Sequence, residues 1–95
     1  MTNTAEQRRE SIRARLFDGL ALSTCEVEDE SALHAGHAGA ASGGGHFRVR
    51  LISDVFEGKN RLQRHRLVYD CLADMMDKDI HALAIIAIAT SEITN

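Results

Sequence analysis

The sequence predicts an α+β domain: a three-stranded mixed sheet with helices packed on one face. Three observations carry this. A helix-spaced apolar stripe opens the chain, two short stretches alternate with a period of two, and a nearly unbroken Ile/Ala run near the end follows a second helical stripe. With 95 residues there is room for one domain over 1–95, not two. A chain of this size buries only about 60–65% of its unfolded surface, so the core is thin and a large substrate cleft is not expected.

The first helix starts near Thr4, where Thr4 and Gln7 have the spacing of a capping box. Ile12, Leu16 and Leu20 then recur at i+4 among arginines and glutamates, and Gly19 weakens the last turn. The first strand covers 22–28, with Ser23, Cys25 and Val27 on one face and Thr24, Glu26 and Glu28 on the other. The run from Asp29 to Gly45 has no apolar periodicity and holds five of the seven glycines, so a mobile glycine-rich loop is expected over about 31–45.

The second strand follows, with Phe47, Val49 and Leu51 facing one way and Arg48, Arg50 and Ile52 the other. Two strands joined by a loop without a helix pair antiparallel. Residues 60–77 read as helix, with Leu62, Leu67, Val68, Cys71, Leu72, Met75 and Met76 on its apolar stripe and Asn60–Arg64 as a separable first turn. The last strand is HALAIIAIAT, residues 81–90. The roughly 26 residues between the second and third strands, with a helix inside, suit a crossover between parallel strands.

Charge and composition narrow the function. Eleven basic and fourteen acidic residues give a net charge of −3, which excludes a generally cationic nucleic-acid coat but allows a local basic patch. No run approaches the ~18 apolar residues of a membrane span. The polar start, MTNTAEQRRES, lacks a secretory core, and the two cysteines form no C-x-x-C, so a cytoplasmic protein is expected. Cys25 and Cys71 fall on buried faces as inert thiols, and neither a nucleophile elbow nor a Walker loop is present. A non-enzymatic role is therefore expected.

The histidines are the informative residues. His34 and His37 lie in the glycine-rich loop, His46 opens the second strand, His65 sits between two arginines, and His81 opens the third strand. The predicted topology brings His37, His46 and His81 to one sheet end. Imidazole suits a borderline metal, yet neighbouring histidines also serve as hydrogen-bonded structural groups, and the pattern leaves both readings open. A second feature is the basic stretch of Lys59, Arg61, Arg64, His65 and Arg66. It suits phosphate contacts with nucleic acid, or else a helix start neutralised by Asp54, Glu57 or Asp70. Gly58-Lys59-Asn60-Arg61 lacks the second glycine of the G-x-x-G clamp that KH-type single-strand binding requires.

FEGKNRLQRHRLVYDCL over 56–72, His81-Ala82-Leu83, Asp29-Glu30-Ser31 and His46-Phe47 together resemble the BolA family over about residues 8–92. The resemblance implies an αββαβ fold of class-II KH-like topology. It implies a monothiol glutaredoxin as heterodimer partner, with a [2Fe–2S] cluster shared with the glutaredoxin and its glutathione and none expected in the isolated protein. The carried-over ligands are His81 and the loop histidine His37, which eight residues separate from His46-Phe47; His34 is the weaker candidate. Two imidazoles on one iron would resemble Rieske ligation and raise the potential. The family's second tradition, transcriptional regulation in stress response through DNA binding, would use Lys59, Arg61, Arg64, His65 and Arg66 in weak, electrostatic contacts. A weak homodimer is a further expectation. Ile93 stands where the family often has Trp.

Overall fold

The structure is a computed structural model and describes residues 5–30, 45–76 and 78–93. Its elements are α1 (Ala5–Gly19), β1 (Thr24–Asp29), β2 (Gly45–Ser53), a 3-10 turn (Asp54–Phe56), α2 (Arg61–Cys71), β3 (Ile80–Ala89) and a closing 3-10 turn (Thr90–Glu92). The sheet order is β1-β2-β3, antiparallel between β1 and β2 and parallel between β2 and β3. The predicted α+β class and mixed sheet are therefore present. Thr4 of the expected capping box and the glycine-rich loop over 31–44 lie outside the described residues.

The core forms because each element buries the stripe its periodicity lays out. Ile12, Leu16 and Leu20 of the first helical stripe pack with Val68 and Leu72 against Phe47, Val49 and Leu51 of the central strand. The opposite face of β2 carries Arg48 and Arg50, which pair with Glu30 and Glu26 at 3.3 and 3.2 Å. The acidic end of β1 is thus partly neutralised by its sheet neighbours. Such exposed pairs contribute about 1 kcal/mol or less each. Gly19 has a packing reason: a Cβ there would stand 2.5 Å from the Cys71 Sγ, so the glycine lets the two helix ends approach.

Three expectations about the second half need correction. Asn60–Arg64 is not a separate turn. Asn60 caps α2 reciprocally with Gln63, each side-chain oxygen accepting the other's backbone N–H at 2.9 Å, and the helix runs on without a break. Leu62, placed on the apolar stripe, is 60% exposed. The helix ends at Cys71, not 77; beyond it the chain tightens into turns in which the Met75 carbonyl accepts N–H groups from Lys78, Asp79 and Ile80. Those turns redirect the chain so that Ile80 enters the sheet buried.

β3 is not a plain strand either. Gly45 faces Ile80 and His46 faces Ala82, so His81 is an extra residue, a β-bulge, in the pairing with β2. Ile80 and Ile85 are both buried although an odd separation in a regular pleat would put them on opposite faces. The bulge reconciles them.

Candidate functional site

The bulge is what builds the site. It releases His81 from the sheet pairing and leaves it exposed, with its ring centroid 5.2 Å from that of His46 and the planes tilted by 50°. His46 is half-buried, and its Nε2 is enclosed. Gly45, just before it, has no room for a side chain, since a Cβ would lie 2.4 Å from the Phe47 ring. The Gly45 N–H donates to the Asp79 carbonyl at 3.0 Å, tying the start of β2 to the start of β3. On the other side, the Glu30 N–H donates to the His46 carbonyl at 2.7 Å, so the chain leaves β1 beside the same pair. Arg8 of α1 approaches Asp79 at 3.7 Å and ties the first helix to this end.

The structure thus brings His46 and His81 together at one sheet end, as the topology predicted. His37 and His34 lie outside the described residues. Among the described residues no group of three His, Cys, Asp or Glu side chains gathers as a metal site. Burial raises both thiol pKa values, at Cys25 and at Cys71, which keeps them protonated and poor ligands.

The basic stretch lies elsewhere. Ala87, which borders it, is six residues beyond His81 on β3, or about 20 Å along an extended strand. A shallow depression of about 470 Å³ there is lined by Lys59, Arg61, His65, the Ile85–Ala87 edge of β3 and Glu92. Arg64 is drawn inward. Its Nε donates to the Lys59 carbonyl at 2.8 Å, and Nη1 donates to the Ala87 carbonyl at 3.1 Å. Nη1 and Nη2 also grip Glu92 at 2.6 and 3.3 Å. The bond from Arg64, then that from the Ala89 N–H, hold the Glu92 carboxyl below its ordinary pKa; the same pair raises Arg64. Of the expected nucleic-acid contacts, Arg64 is therefore committed within the molecule, while Arg61 and Arg66 remain exposed. Its partner is Glu92, not Asp54, Glu57 or Asp70. Glu57 instead accepts from the Ser91 N–H and hydroxyl at 2.8 and 2.6 Å.

A small α+β domain with an imidazole pair at a bulged strand end, and a basic depression farther along that strand, is the class of protein this geometry defines. Residues 16–92 match the family model for BolA-like protein, and the chain belongs to that family. It is 42% identical to SufE-like protein 1, chloroplastic/mitochondrial, of Arabidopsis thaliana over 86% of this chain but 24% of that protein. It is also 42% identical to the DNA-binding transcriptional regulator BolA of Escherichia coli (strain K12), over 81% of this chain and 70% of that one. The solved BolA domain of SufE1 from Arabidopsis thaliana superposes with a TM-score of 0.78 at 42% identity, covering 90% of this chain and 95% of that one. The chain spans about half the length of two further relatives, BolA1 of Arabidopsis thaliana and BolA-like protein 1 of Mus musculus.

Proposed function

We propose that this chain is a single-domain, cytoplasmic, non-enzymatic adaptor that binds a [2Fe–2S] cluster jointly with a monothiol glutaredoxin, for cluster trafficking or iron and redox regulation. The observation that carries the reading is His81. Its imidazole is exposed on a bulge beside the point where the chain leaves β1, and this supports the reading because a ligand taken from there would not disturb the core. A cluster supplies iron sites that accept neutral imidazole, and the donor set here fits: His81 from the strand, with His37 as the second ligand and His34 as the weaker candidate. The partner would supply the remaining ligands, since the described residues gather no closed metal site of their own.

The test is assembly with a monothiol glutaredoxin, glutathione, iron and sulfide, followed by visible absorption. His81→Ala is expected to abolish the histidine-coordinated spectrum with the fold unchanged, and His37→Ala to weaken it less. An unchanged spectrum and cluster lifetime in His81→Ala would remove the basis of the reading.

A DNA-binding regulator is the second reading. It is favoured by the depression beside Lys59, Arg61 and His65 and by the likeness to the Escherichia coli regulator. With Arg64 committed to Glu92, the cations left for phosphate are Lys59, Arg61 and Arg66. Three contacts predict a slope of log K against log salt of roughly −3. Arg61→Gln and Arg66→Gln should each flatten it by about one; a salt-independent, tight complex would contradict this electrostatic mode.

A further inference from the structure

We propose that the outer edge of β3 takes an extended acidic peptide segment of a partner protein, which adds to the sheet as a fourth strand. The order β1-β2-β3 leaves β3 at an edge. One bond fixes which of its backbone groups face out. The Glu30 N–H donates to the His46 carbonyl, so the even-numbered residues of β2 turn their polar groups to β1 and the odd-numbered ones turn theirs to β3. In a parallel ladder the residue opposite a bonded one faces away. Leu83, Ile85, Ala87 and Ala89, opposite Phe47, Val49, Leu51 and Ser53, therefore direct N–H and C=O outward.

At one end of this row the outward groups are already held. Arg64 Nη1 donates to the Ala87 carbonyl at 3.1 Å, and Glu92 Oε1 accepts from the Ala89 N–H at 2.7 Å. A donor on one residue's carbonyl and an acceptor on the N–H two residues on is the pattern an adjoining strand supplies. The ion pair thus stands in for one residue of a fourth strand and closes the edge there. Among the described residues nothing holds the outward N–H and C=O of Leu83 and Ile85. Such an open edge pairs with an extended chain.

What flanks the open stretch sets the chemistry of the occupant. The depression of about 470 Å³ lies beside it, with Lys59, Arg61 and His65 on the α2 side. On the opposite face of the sheet Ile86 is 40% exposed. Side chains of an added strand alternate between the two faces, so acidic residues meet the cations while apolar ones cover Ile86. Two copies joined through β3 would bring their cations together, which disfavours a second copy. A DNA duplex offers phosphates to the same cations but no ladder partners for Leu83 and Ile85, and Arg64 is already neutralised by Glu92. The observations therefore favour a peptide.

The experiment uses the full chain without glutaredoxin, iron or sulfide, so its outcome is separate from that of the cluster assembly. The probe is a capped six-residue peptide of alternating glutamate and valine, followed by fluorescence anisotropy and by amide hydrogen exchange. Binding should slow exchange at the Leu83 and Ile85 N–H groups and add no protection at Ala89, whose N–H Glu92 already holds. Lys59→Glu/Arg61→Glu should weaken binding at least tenfold with circular dichroism unchanged. N-methylation of alternate peptide bonds, which keeps the charge but removes ladder donors, should abolish it. Absence of binding, equal affinity for the N-methylated peptide, or unchanged exchange at Leu83 and Ile85 would each overturn the proposal. Self-association through β3, or a short DNA duplex that protects these two amides where the peptide does not, would overturn it in favour of that occupant.

Discussion

Ser53 is 1% exposed and polar, and its position explains why it is tolerated. Its hydroxyl donates to the Ala21 carbonyl and accepts the Val55 N–H at 3.0 Å, so one side chain joins the end of β2 to the connection before β1 and opens the 3-10 turn. Ser53→Ala would leave a buried donor and a buried acceptor each short of a partner. The expected loss is about 1–3 kcal/mol, read as a lower urea midpoint with an unchanged m value. Gly58 offers a different lesson. Its φ of 71° lies in the left-handed region, and the space around it is open. Gly58→Ala should therefore cost about 1–2 kcal/mol through the backbone alone, with no packing contribution.

At the scale of elements, Arg64 fastens the first turn of α2 to β3 and to the closing turn. Arg64→Met is expected to lower stability while leaving the slope of DNA affinity against salt unchanged; chemical denaturation and a salt series separate the two effects. What could be read from the sequence follows from which interactions are local. Ile12, Leu16 and Leu20 declare a helix face by spacing alone, and Phe47, Val49 and Leu51 declare a strand face in the same way. The antiparallel and parallel pairings follow from connection length. The bulge at His81 was not legible, because it depends on how β3 meets Gly45 and Phe47 of another strand. Its one local trace is the odd separation of two buried isoleucines, Ile80 and Ile85, inside an apolar run that hides it. The Arg64–Glu92 pair spans 28 residues and left no pattern either. The Asn60-x-x-Gln63 cap did leave one, and it marks the true start of α2. His81 and His46 were placed at one sheet end by topology, while the precise partner of Arg64 required the fold.

For the whole molecule, the Arg64–Glu92 contact sets a pH dependence. The Glu92 carboxyl titrates lower when folded than when unfolded, so the unfolded chain binds the extra proton first. The contribution is fully present above the ordinary glutamate value of about 4.3 and is lost as pH falls through the lower folded value. Unfolding midpoints measured from pH 6 downward should fall more for the parent protein than for Glu92→Gln, and the two curves should converge in acid. A constant gap between them would show that Glu92 acts through packing instead.

The extra residue in β3 also has a meaning for sequence change. Because His81 occupies no rung of the ladder, the sheet does not depend on which side chain stands there, and substitutions at 81 should be nearly silent for folding. Deleting the residue is another matter. It would straighten the strand and force a choice between Ile80 and the Leu83–Ile85 segment, one of which would have to turn outward. The position is thus free to vary in chemistry but not in count, which is the condition under which a ligand can be exchanged for another without rebuilding the scaffold that carries it.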